Sequence, residues 1–385
     1  MIKKNKKILH VVNIYFVIPY FLGDQLVYFN QRGYKEHIIC SPSDEIKEYS
    51  ISHGFKYAEI PIVRKISIKE DLKAIKKIRE FIKFYKIDIV NGHTPKGALL
   101  GMIAAWLEKV PKRIYFRHGH VFETAKGLKR KILILIDKIT ARLATKIINV
   151  SPSVAEASLR EKLNSPKKQI ILYKGTCNGI STRKFNRKNI DIPRLNSLQK
   201  ALQLENSFVI GYTGRLVKDK GIIELVDAFK ILQKDYSNLK LLLVGMLEER
   251  DALPTETVEF IKTNPNIIYI GYVSYEMIEY YYALMDIFVL LSYREGFPTS
   301  VLEASAMNLP IITTKATGCI DSIIESRTGL FVSHDKKEVA LAIEYFIKNE
   351  DQKKIFGDEG RKFVEKNFAS EIIWNELDNV YNEKV

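Results

Sequence analysis

The sequence predicts an α/β protein of two doubly wound domains, each built on one parallel sheet. Short apolar runs typical of strands alternate with amphipathic helical runs along the 385 residues, which is the pattern of parallel-sheet domains. The chain is long enough to bury two hydrophobic cores. Its 46% hydrophobic and 27% charged residues are ordinary for a globular protein. We therefore expect one sheet and one core in each half.

The strand candidates form two sets separated by a segment of little periodicity. The first set is 7–12, 37–40, 56–62, 88–92, 113–117, 147–151 and 170–174. The second set is 207–213, 239–245, 266–270, 287–292, 310–314 and 329–332. Each set fits one doubly wound sheet. We predict a first domain over 1–180, a Lys-, Arg- and Asn-rich linker over 181–206, a second domain over 207–369 and a last helix within 370–385.

Cysteine usage and hydropathy exclude several classes of protein. Cys40, Cys177 and Cys319 are few, odd in number and widely spaced, which indicates a reducing compartment and neither a disulfide framework nor a structural zinc site. No apolar run approaches the roughly 20 residues of a membrane-spanning helix. The basic lead over residues 1–7 is followed by a first strand that contains His and Asn, which does not resemble a signal peptide.

The charge is distributed unevenly between the two halves. Residues 1–200 hold 40 Lys and Arg against 16 Asp and Glu, a net charge of +24, whereas residues 201–385 hold 20 against 29, a net charge of −9. The basic half predicts contact with an anionic membrane surface. The plain alternative is solubility charge from a Lys-rich coding bias. Nucleic acid is not expected, because no recognised nucleic-acid motif occurs.

Two predicted helices, 72–87 and 126–146, are both basic and amphipathic. Their apolar stripes are expected to pack on the sheet while the charges stay solvated. That arrangement is compatible with membrane contact, because an exposed basic face can lie on anionic headgroups. The clusters to test are Lys129-Arg130-Lys131 and Lys73, Lys76 and Lys77.

One stretch of the second half predicts a ligand site. A buried-type strand, 287–292, runs into a Gly-Phe-Pro turn, and a helix is then expected with Pro298 at its first position. A strand, a short loop and a helix N-terminus together form an anion site. Glu295 lies in the loop and Glu303 about one turn into the helix. Two carboxylates beside a phosphate-sized site favour a ligand that carries hydroxyls as well as phosphate.

A second cluster follows the strand 209–214. Gly211 and Gly214 allow the backbone to approach a ligand closely. Arg215 and Lys220 would neutralise charge on a diphosphate as a bond to it breaks. Considered alone, the segment fits an ordinary strand-to-helix turn with solvated charges better than a ligand site.

These two clusters resemble those of a known family. Ser292–Glu303 resembles the Glu-(seven residues)-Glu motif of the retaining glycosyltransferases of family four, which have the GT-B fold. Gly214–Gly221 is similar to that family's Gly-Arg…Lys-Gly diphosphate-binding segment, and Asn178-Gly179 resembles its linker motif. The resemblance is strong over 140–335.

The resemblance is weaker over residues 1–120. There, Gly-His-Thr-Pro-Lys-Gly (92–97) looks like a branch that builds bacterial surface polysaccharides. The family's fold implies two Rossmann-like domains that face a cleft, with the C-terminal helix crossing back to the first domain.

The resemblance also implies roles for the second-half residues. Glu295 would accept hydrogen bonds from the donor sugar, and Glu303 would hold the ribose of the nucleotide. Gly214, Arg215 and Lys220 would bind the diphosphate. The loop and helix start would present backbone N–H groups to the distal phosphate from Gly296, Phe297 and Thr299, with Pro298 between them. Gly318 and Cys319 head another loop that is expected to line the same crevice.

In the first half, the resemblance points to His118, because family members often place a His at this strand end. His120 is the competing choice, and His93 is equally placed for a capping or core role. Many family members carry a Gly-Gly pair after the first strand, whereas this chain has Gly23 alone. Gly23 is therefore the glycine of this loop that is predicted to approach the donor phosphate and the acceptor.

The resulting expectation is a metal-independent, retaining glycosyltransferase at the cytoplasmic face of the plasma membrane. It would move a hexose or N-acetylhexosamine from a nucleoside-diphosphate sugar to a polyprenyl-diphosphate-linked oligosaccharide. We expect the nucleotide of the donor to be UDP. The product would be used for capsule, O-antigen or exopolysaccharide. It would need no other cofactor. A metal-dependent GT-A enzyme would need an Asp-x-Asp tripeptide, which does not occur. A fold relative acting on a soluble acceptor, or a non-catalytic sugar-nucleotide or polyanion-binding protein, are the remaining alternatives.

Overall fold

A computed structural model describes residues 5–65, 67–249 and 251–383. The chain divides into two compact units, one formed by Met1–Gly179 with Ser370–Val385 and the other by Ile180–Ala369. Residues 181–206, which the sequence marks as a linker, cluster with the second unit and include a helix. Residues 1–4 of the expected N-terminal lead and residues 384–385 of the expected C-terminal segment lie outside the described ranges.

The described part of the first unit contains a seven-stranded, wholly parallel sheet. Its strands are β1 (Lys7–Val11), β2 (Lys35–Cys40), β3 (Lys56–Glu59), β4 (Ile89–Gly92), β5 (Lys112–Arg117), β6 (Lys146–Asn149) and β7 (Gln169–Ile170). The strand order is β3-β2-β1-β4-β5-β6-β7, so the direction of winding reverses between β1 and β4. All seven expected strands are present, although β7 is shorter than predicted.

Helices cover the two faces of this sheet. They are α1 (Ile18–Phe21), α2 (Gln25–Gln31), α3 (Ile46–His53), α4 (Ile68–Tyr85), α5 (Pro95–Leu107), α6 (Gly127–Leu143) and α7 (Pro152–Arg160). Local sequence sets several of the helix starts. Ser151 and Thr94 each accept a hydrogen bond from the backbone N–H three residues ahead, and a proline follows each of them at the first helical position.

The second unit repeats the architecture with a six-stranded parallel sheet among the residues described. Its strands are β8 (Phe208–Thr213), β9 (Leu239–Val244), β10 (Ile267–Gly271), β11 (Ile287–Leu290), β12 (Ile311–Thr313) and β13 (Gly329–Phe331). Its helices are α8 (Ile192–Ala201), α9 (Ile222–Leu232), α10 (Thr255–Thr263), α11 (Ile278–Ala283), α12 (Thr299–Ala306), α13 (Lys336–Lys348) and α14 (Glu350–Asn367). The order β10-β9-β8-β11-β12-β13 reverses between β8 and β11.

The last helix, α15 (Ser370–Asn382), belongs to the first unit. Its apolar face is buried there, and several of its side chains form specific hydrogen bonds. The Trp374 indole donates to Oδ1 of Asn178 at 2.9 Å, and the hydroxyl of Tyr381 accepts from Asn91 at 2.5 Å. Asp378 accepts from the hydroxyl of Tyr34. The predicted return of the C-terminal helix to the first domain is confirmed.

The two basic helices differ in what they bury. In α4, Ile78 and Ile82 are buried in the core, as expected for a stripe that packs on the sheet, whereas Leu72 of the same stripe is 62% exposed. In α6, four stripe residues remain between 40% and 73% exposed: Leu128, Ile132, Leu135 and Ile139. The packing prediction is therefore wrong for these four residues, because smaller side chains nearer the end of the helix, Thr140 and Ala141, make the buried contact.

Among the described residues, no helix combines the length and apolarity needed to cross a bilayer. The three cysteines are buried free thiols.

Candidate functional site

The second sheet reverses its winding between β8 and β11, and the connections that leave these two strands diverge. In open α/β sheets, such a reversal opens a crevice outside the carboxyl ends of the strands, where ligands bind. The segments that follow β8, β11 and β12 carry the residues that the sequence marks as functional. These three loops therefore border the expected crevice.

Two glycines hold these loops in contact. Gly221 has φ +71°, and a Cβ placed on it would lie 2.2 Å from the carbonyl oxygen of Leu291 at the end of β11. Gly318 has φ +80°, and its Cβ would lie 2.5 Å from the carbonyl oxygen of Gly296. Any larger residue would separate the backbones and strain them. The loops after β8 and β12 consequently press against the loop after β11 from both sides.

Lys220 and Glu295 meet across these loops, although 75 positions separate them in the chain. The Lys220 ammonium contacts Oε1 of Glu295. The Ser292 hydroxyl donates to the same oxygen at 2.7 Å, and the backbone N–H of Glu295 donates to the carbonyl of Thr317 at 2.9 Å. Both side chains are mostly buried, so the pair is held in one geometry. An ammonium and a carboxylate thus lie side by side at the crevice.

Arg215 lies at the start of the same loop as Lys220. Its guanidinium donates to Oε2 of Glu248 at 3.0 Å, and its backbone carbonyl accepts from the Tyr212 hydroxyl at 2.7 Å. Its side chain remains 41% exposed. Gly214, also exposed, has φ +143° and lets the backbone turn out of β8. Arg215 is therefore anchored by its backbone and accessible at its charged end.

Glu303 is more enclosed than the sequence indicated. Its residue is 7% exposed, and Oε2 accepts from the Tyr282 hydroxyl at 2.7 Å. That hydroxyl also forms a 2.6 Å hydrogen bond with Oγ1 of Thr213 at the end of β8. Burial raises the pKa of Glu303 to about 7, against the lowering effect of the bond from Tyr282 and of the charge on Lys184. The Glu303 carboxyl is therefore linked through Tyr282 to the end of β8, where the strand order of the sheet reverses.

Helix α12 begins one residue later than predicted. Pro298 is the residue before the helix, with extended backbone angles, and Thr299 is the first helical residue. Phe297 is buried and packs its ring against Phe368, so its side chain belongs to the core of the second unit. No group of three or more His, Cys, Asp or Glu side chains with metal-binding geometry occurs within the ranges described.

In the first unit, the structure brings together the segments that hold Gly23 and His118. The ring of Phe21 stacks on His118, with centroids 3.9 Å apart and planes within 6°. Gly23 has φ +45°, and a Cβ on it would lie 2.7 Å from the carbonyl oxygen of Pro19. His118 is partly buried, and burial lowers its pKa to about 3, so the ring is neutral.

The two other candidate histidines are buried. His120 hydrogen-bonds through Nε2 to the carbonyl of Val154 at 3.1 Å and to Ser158 at 3.2 Å, which indicates a structural role. Burial lowers its pKa to about 4. His93 lies beneath His118, with its Nδ1 3.1 Å from Nε2 of His118. Of the three, His118 is the most accessible.

Sequence reasoning missed the residues that fix these groups in place. Ser292 lies inside the marked motif, and its position three residues before Glu295 was a usable signal. Glu248 follows β9 in the position that neighbours the end of β8, so sheet order would have indicated it. Tyr282 gave no signal, because an aromatic residue in an apolar helix predicts only core packing.

Both halves of the chain are similar to known proteins. Residues 194–363 match the family model described as glycosyl transferases group 1, and residues 7–151 match the model described as glycosyl transferase 4-like. The chain is 38% identical over 384 residues to the capsular polysaccharide biosynthesis glycosyltransferase CapM of Staphylococcus aureus, covering 98% of this chain and 97% of that protein.

Two further proteins are more distant. The UDP-Gal:alpha-D-GlcNAc-diphosphoundecaprenol alpha-1,3-galactosyltransferase of Escherichia coli is 27% identical over 289 residues, covering 73% of this chain and 72% of that protein. The crystal structure of Anabaena HepE in complex with UDP and glucose superposes with a TM-score of 0.82 at 17% identity, covering 98% of this chain and 99% of that one. At 17% identity, the similarity to HepE concerns the fold alone.

Proposed function

The chain belongs to the group 1 glycosyltransferases, and from that membership we propose that it transfers a hexose or N-acetylhexosamine from a UDP-sugar to a polyprenyl-diphosphate-linked oligosaccharide. The contact between Lys220 and Glu295 carries this proposal. It sets a cationic and an anionic group side by side at the reversal point of the sheet. A sugar diphosphate needs both, because its phosphates attract an ammonium and its hydroxyls donate to a carboxylate.

The donor would bind with its diphosphate toward the loop after β8. Lys220, Arg215 and the backbone N–H groups at the start of α12 would meet the charge that grows on the departing diphosphate. Glu295, fixed by Ser292, would accept hydrogen bonds from the sugar hydroxyls. Glu303 would accept a hydrogen bond from a ribose hydroxyl. Its carboxyl is placed for this because Tyr282 links it to Thr213 at the end of β8.

The proposed transfer retains the configuration of the donor sugar and needs no metal ion. Retaining glycosidases use a carboxylate nucleophile on the face opposite the leaving group. Here Glu295 is held by Lys220 and Ser292, so we assign it to hydroxyl binding and not to attack. The acceptor hydroxyl would instead approach on the face from which the diphosphate departs. The two cations of the loop supply the charge that a metal ion would otherwise provide.

A lipid-linked acceptor is supported by the name of the Escherichia coli relative and by the surface of α6. Four apolar residues form an exposed row along α6: Leu128, Ile132, Leu135 and Ile139. Around the helix, the exposed side chains of Lys129 and Lys131 flank this row on its two sides. An exposed apolar row with basic flanks binds the interface of an anionic bilayer. We propose peripheral docking of the first unit on such a surface, at the inner face of the plasma membrane, where the lipid-linked acceptor is held. The capsular relative supports a product used in surface polysaccharide.

The experiment combines the purified full-length protein with membranes that carry lipid-linked saccharides and a panel of radiolabelled UDP-, GDP- and TDP-sugars. We expect label to enter the lipid fraction from one UDP-sugar, and the Lys220→Ala protein to serve as the inactive control. Transfer of the label only to a soluble saccharide would show that the acceptor is not lipid-linked. Absence of transfer from every nucleotide sugar would refute the proposed activity.

A further inference from the structure

Two ion pairs lie side by side where the loop after β8 meets the loop after β11. Asp219 and Lys220 are consecutive in the first loop, and Arg294 and Glu295 are consecutive in the second. Lys220 contacts Glu295, and the guanidinium of Arg294 donates to Oδ2 of Asp219 at 2.9 Å. A shift of one residue would set Lys220 against Arg294 or Asp219 against Glu295, which are like charges that repel. The paired charges therefore specify one register for the two loops.

The backbone of the first loop is fixed at Asp219. Its carbonyl accepts from the N–H of Tyr293 at 2.9 Å, and its own N–H donates to Oδ2 of Asp251 at 2.8 Å. The N–H of Lys218 donates to the carbonyl of Asp251 at 3.0 Å. Asp251 follows β9 and Tyr293 follows β11, the two strands that flank β8. Asp219 is therefore the point at which the loop that carries Lys220 is tied to both of its neighbours.

Stability does not account for the pair of Asp219 with Arg294. Their side chains are 16% and 25% exposed, respectively, and Oδ1 of Asp219 is buried without a hydrogen-bond partner in the described part of the chain. Burying a carboxylate costs hydration that the attraction of a cation offsets only in part. Exchange of an enclosed ion pair for apolar residues therefore often leaves the free energy of unfolding unchanged. Such a pair is better explained by what it holds in place.

The proposed donor competes with one of the two ion pairs and leaves the other intact. Its diphosphate would attract the ammonium of Lys220, and its sugar hydroxyls would donate to Glu295. Each of these groups would then share with the donor the charge that holds its partner. Asp219 and Arg294 have no assigned contact with the donor, so their attraction is not divided in this way. They can keep the loops in register while the donor binds.

We propose that Asp219 and Arg294 are positioning residues, whose ion pair keeps Lys220 and Glu295 at the spacing that a bound nucleoside-diphosphate sugar requires. The inference rests on the proposed transferase activity. The two residues act through Lys220 and Glu295 and not through contact with the reacting atoms. The loops after β8 and β11 thus carry one ion pair that serves the ligand and one that serves their own alignment.

Hydrogen exchange of the full chain without ligand tests the register directly. The N–H of Tyr293 reports on it, because this group bonds to the carbonyl of Asp219 across the two loops. In Lys220→Ala the remaining ion pair should hold the register, so exchange at Tyr293 should rise by less than about threefold. In the double variant Lys220→Ala/Arg294→Ala it should rise by roughly tenfold or more, the effect of losing a charged hydrogen bond. Equal exchange rates in these two variants would overturn the proposal.

Kinetics separate positioning from a simple effect of charge. Asp219→Ala raises the net charge of the crevice and Arg294→Ala lowers it, so an electrostatic role would change the donor KM in opposite directions. Positioning predicts instead that both variants lower kcat by about tenfold, because the same ion pair is lost. The double variant Asp219→Ala/Arg294→Ala should fall no further than either single one. Arg294→Lys, which keeps the positive charge, should recover most of the turnover.

Arg327→Ala is the matched control. Arg327 forms an ion pair with Glu359 in the same unit, but it precedes β13 and so lies at the opposite end of the sheet from these loops. Turnover of this variant should stay within about twofold of the wild type. Turnover of Asp219→Ala and Arg294→Ala equal to that of the control, or KM changes of opposite sign at normal kcat, would overturn the positioning role.

The two measurements distinguish this inference from the proposed function. The expected hydrogen exchange in a chain that transfers no sugar would refute the proposed function and support the alignment of the loops by Asp219 and Arg294. Sugar transfer by a chain in which exchange at Tyr293 does not respond to Arg294→Ala would refute the positioning pair alone.

Discussion

Single residues decide the donor chemistry, and Lys220, Arg215 and Glu295 are the ones to test. Each alanine substitution should lower kcat by roughly 10²-fold or more, the scale for removing one preorganised charge-stabilising group. Because Lys220 and Glu295 contact each other, the double substitution should cost less than the product of the single losses. Steady-state kinetics measure this, with circular dichroism to check the fold.

Lys230→Ala is the matched control for these substitutions. Lys230 is a partly exposed lysine of α9 that pairs with Asp227 away from the loops. Its loss should leave turnover within about twofold of the wild type. Near-normal activity in all three site variants would contradict the assignment of the donor site.

Glu303 predicts a pH effect on stability. Its folded pKa of about 7 lies above the value of about 4.3 for a free glutamate, so the folded chain binds more protons between these values. The free energy of unfolding should therefore fall as the pH rises through this window. Glu303→Gln removes the ionisation and can still accept from Tyr282.

The variant should match the wild type at or below about pH 4 and be the more stable protein near about pH 8. Urea unfolding at both pH values measures the difference. An identical pH slope in the two proteins would show that Glu303 titrates normally.

At this scale, sequence identified the charged groups but not their partners. Gly214–Gly221 and Ser292–Glu303 were marked by glycine placement and by family resemblance. The contact of Lys220 with Glu295 follows only once β8 and β11 are known to be neighbours, because nothing local joins positions 75 apart.

Helix α6 is the element for which a membrane prediction can be made. Leu135→Asn and the charge reversal of Lys129 and Lys131 should each reduce binding to phosphatidylglycerol vesicles, because one removes apolar contact and the other attraction. Each basic residue near an anionic surface contributes on the order of 1 kcal/mol, and salt should weaken the binding. Arg130 is a poorer target, since it pairs with Glu161.

Charge reversal of Lys73, Lys76 and Lys77 on α4 is the comparison, because Ile78 and Ile82 of that helix lie in the core and Ile75 and Phe81 pack against it. It should have the smaller effect in co-sedimentation. Equal binding to neutral and anionic vesicles, or none to either, would show that the basic surface serves another purpose.

Elements were predicted better than the faces they expose. Short apolar runs predicted each of the strands described in the two sheets, because a buried parallel strand is apolar on both faces. The apolar pattern of a helix does not predict which of its faces another element will cover. The heptad-like stripe of α6 reads like that of α4, yet only tertiary packing determines that Leu128 and Leu135 stay exposed.

For the molecule as a whole, the proposed chemistry predicts that chelators leave turnover intact. Charge on the departing diphosphate is assigned to Arg215, Lys220 and the start of α12, none of which depends on an ion. Initial rates with EDTA should equal those without it. Complete loss that manganese or magnesium restores would establish a metal-dependent mechanism.

The return of α15 to the first unit has a consequence for synthesis of the chain. The second unit is continuous, whereas the first is completed only by residues made after it. At roughly 5–20 residues per second, the ribosome needs on the order of ten seconds or more to pass from Gly179 to Ser370. During that time Asn91 and Tyr34 lack their partners on α15. Released chains truncated before Ser370 should therefore contain a protease-resistant second unit and a first unit that proteases and chaperones still recognise.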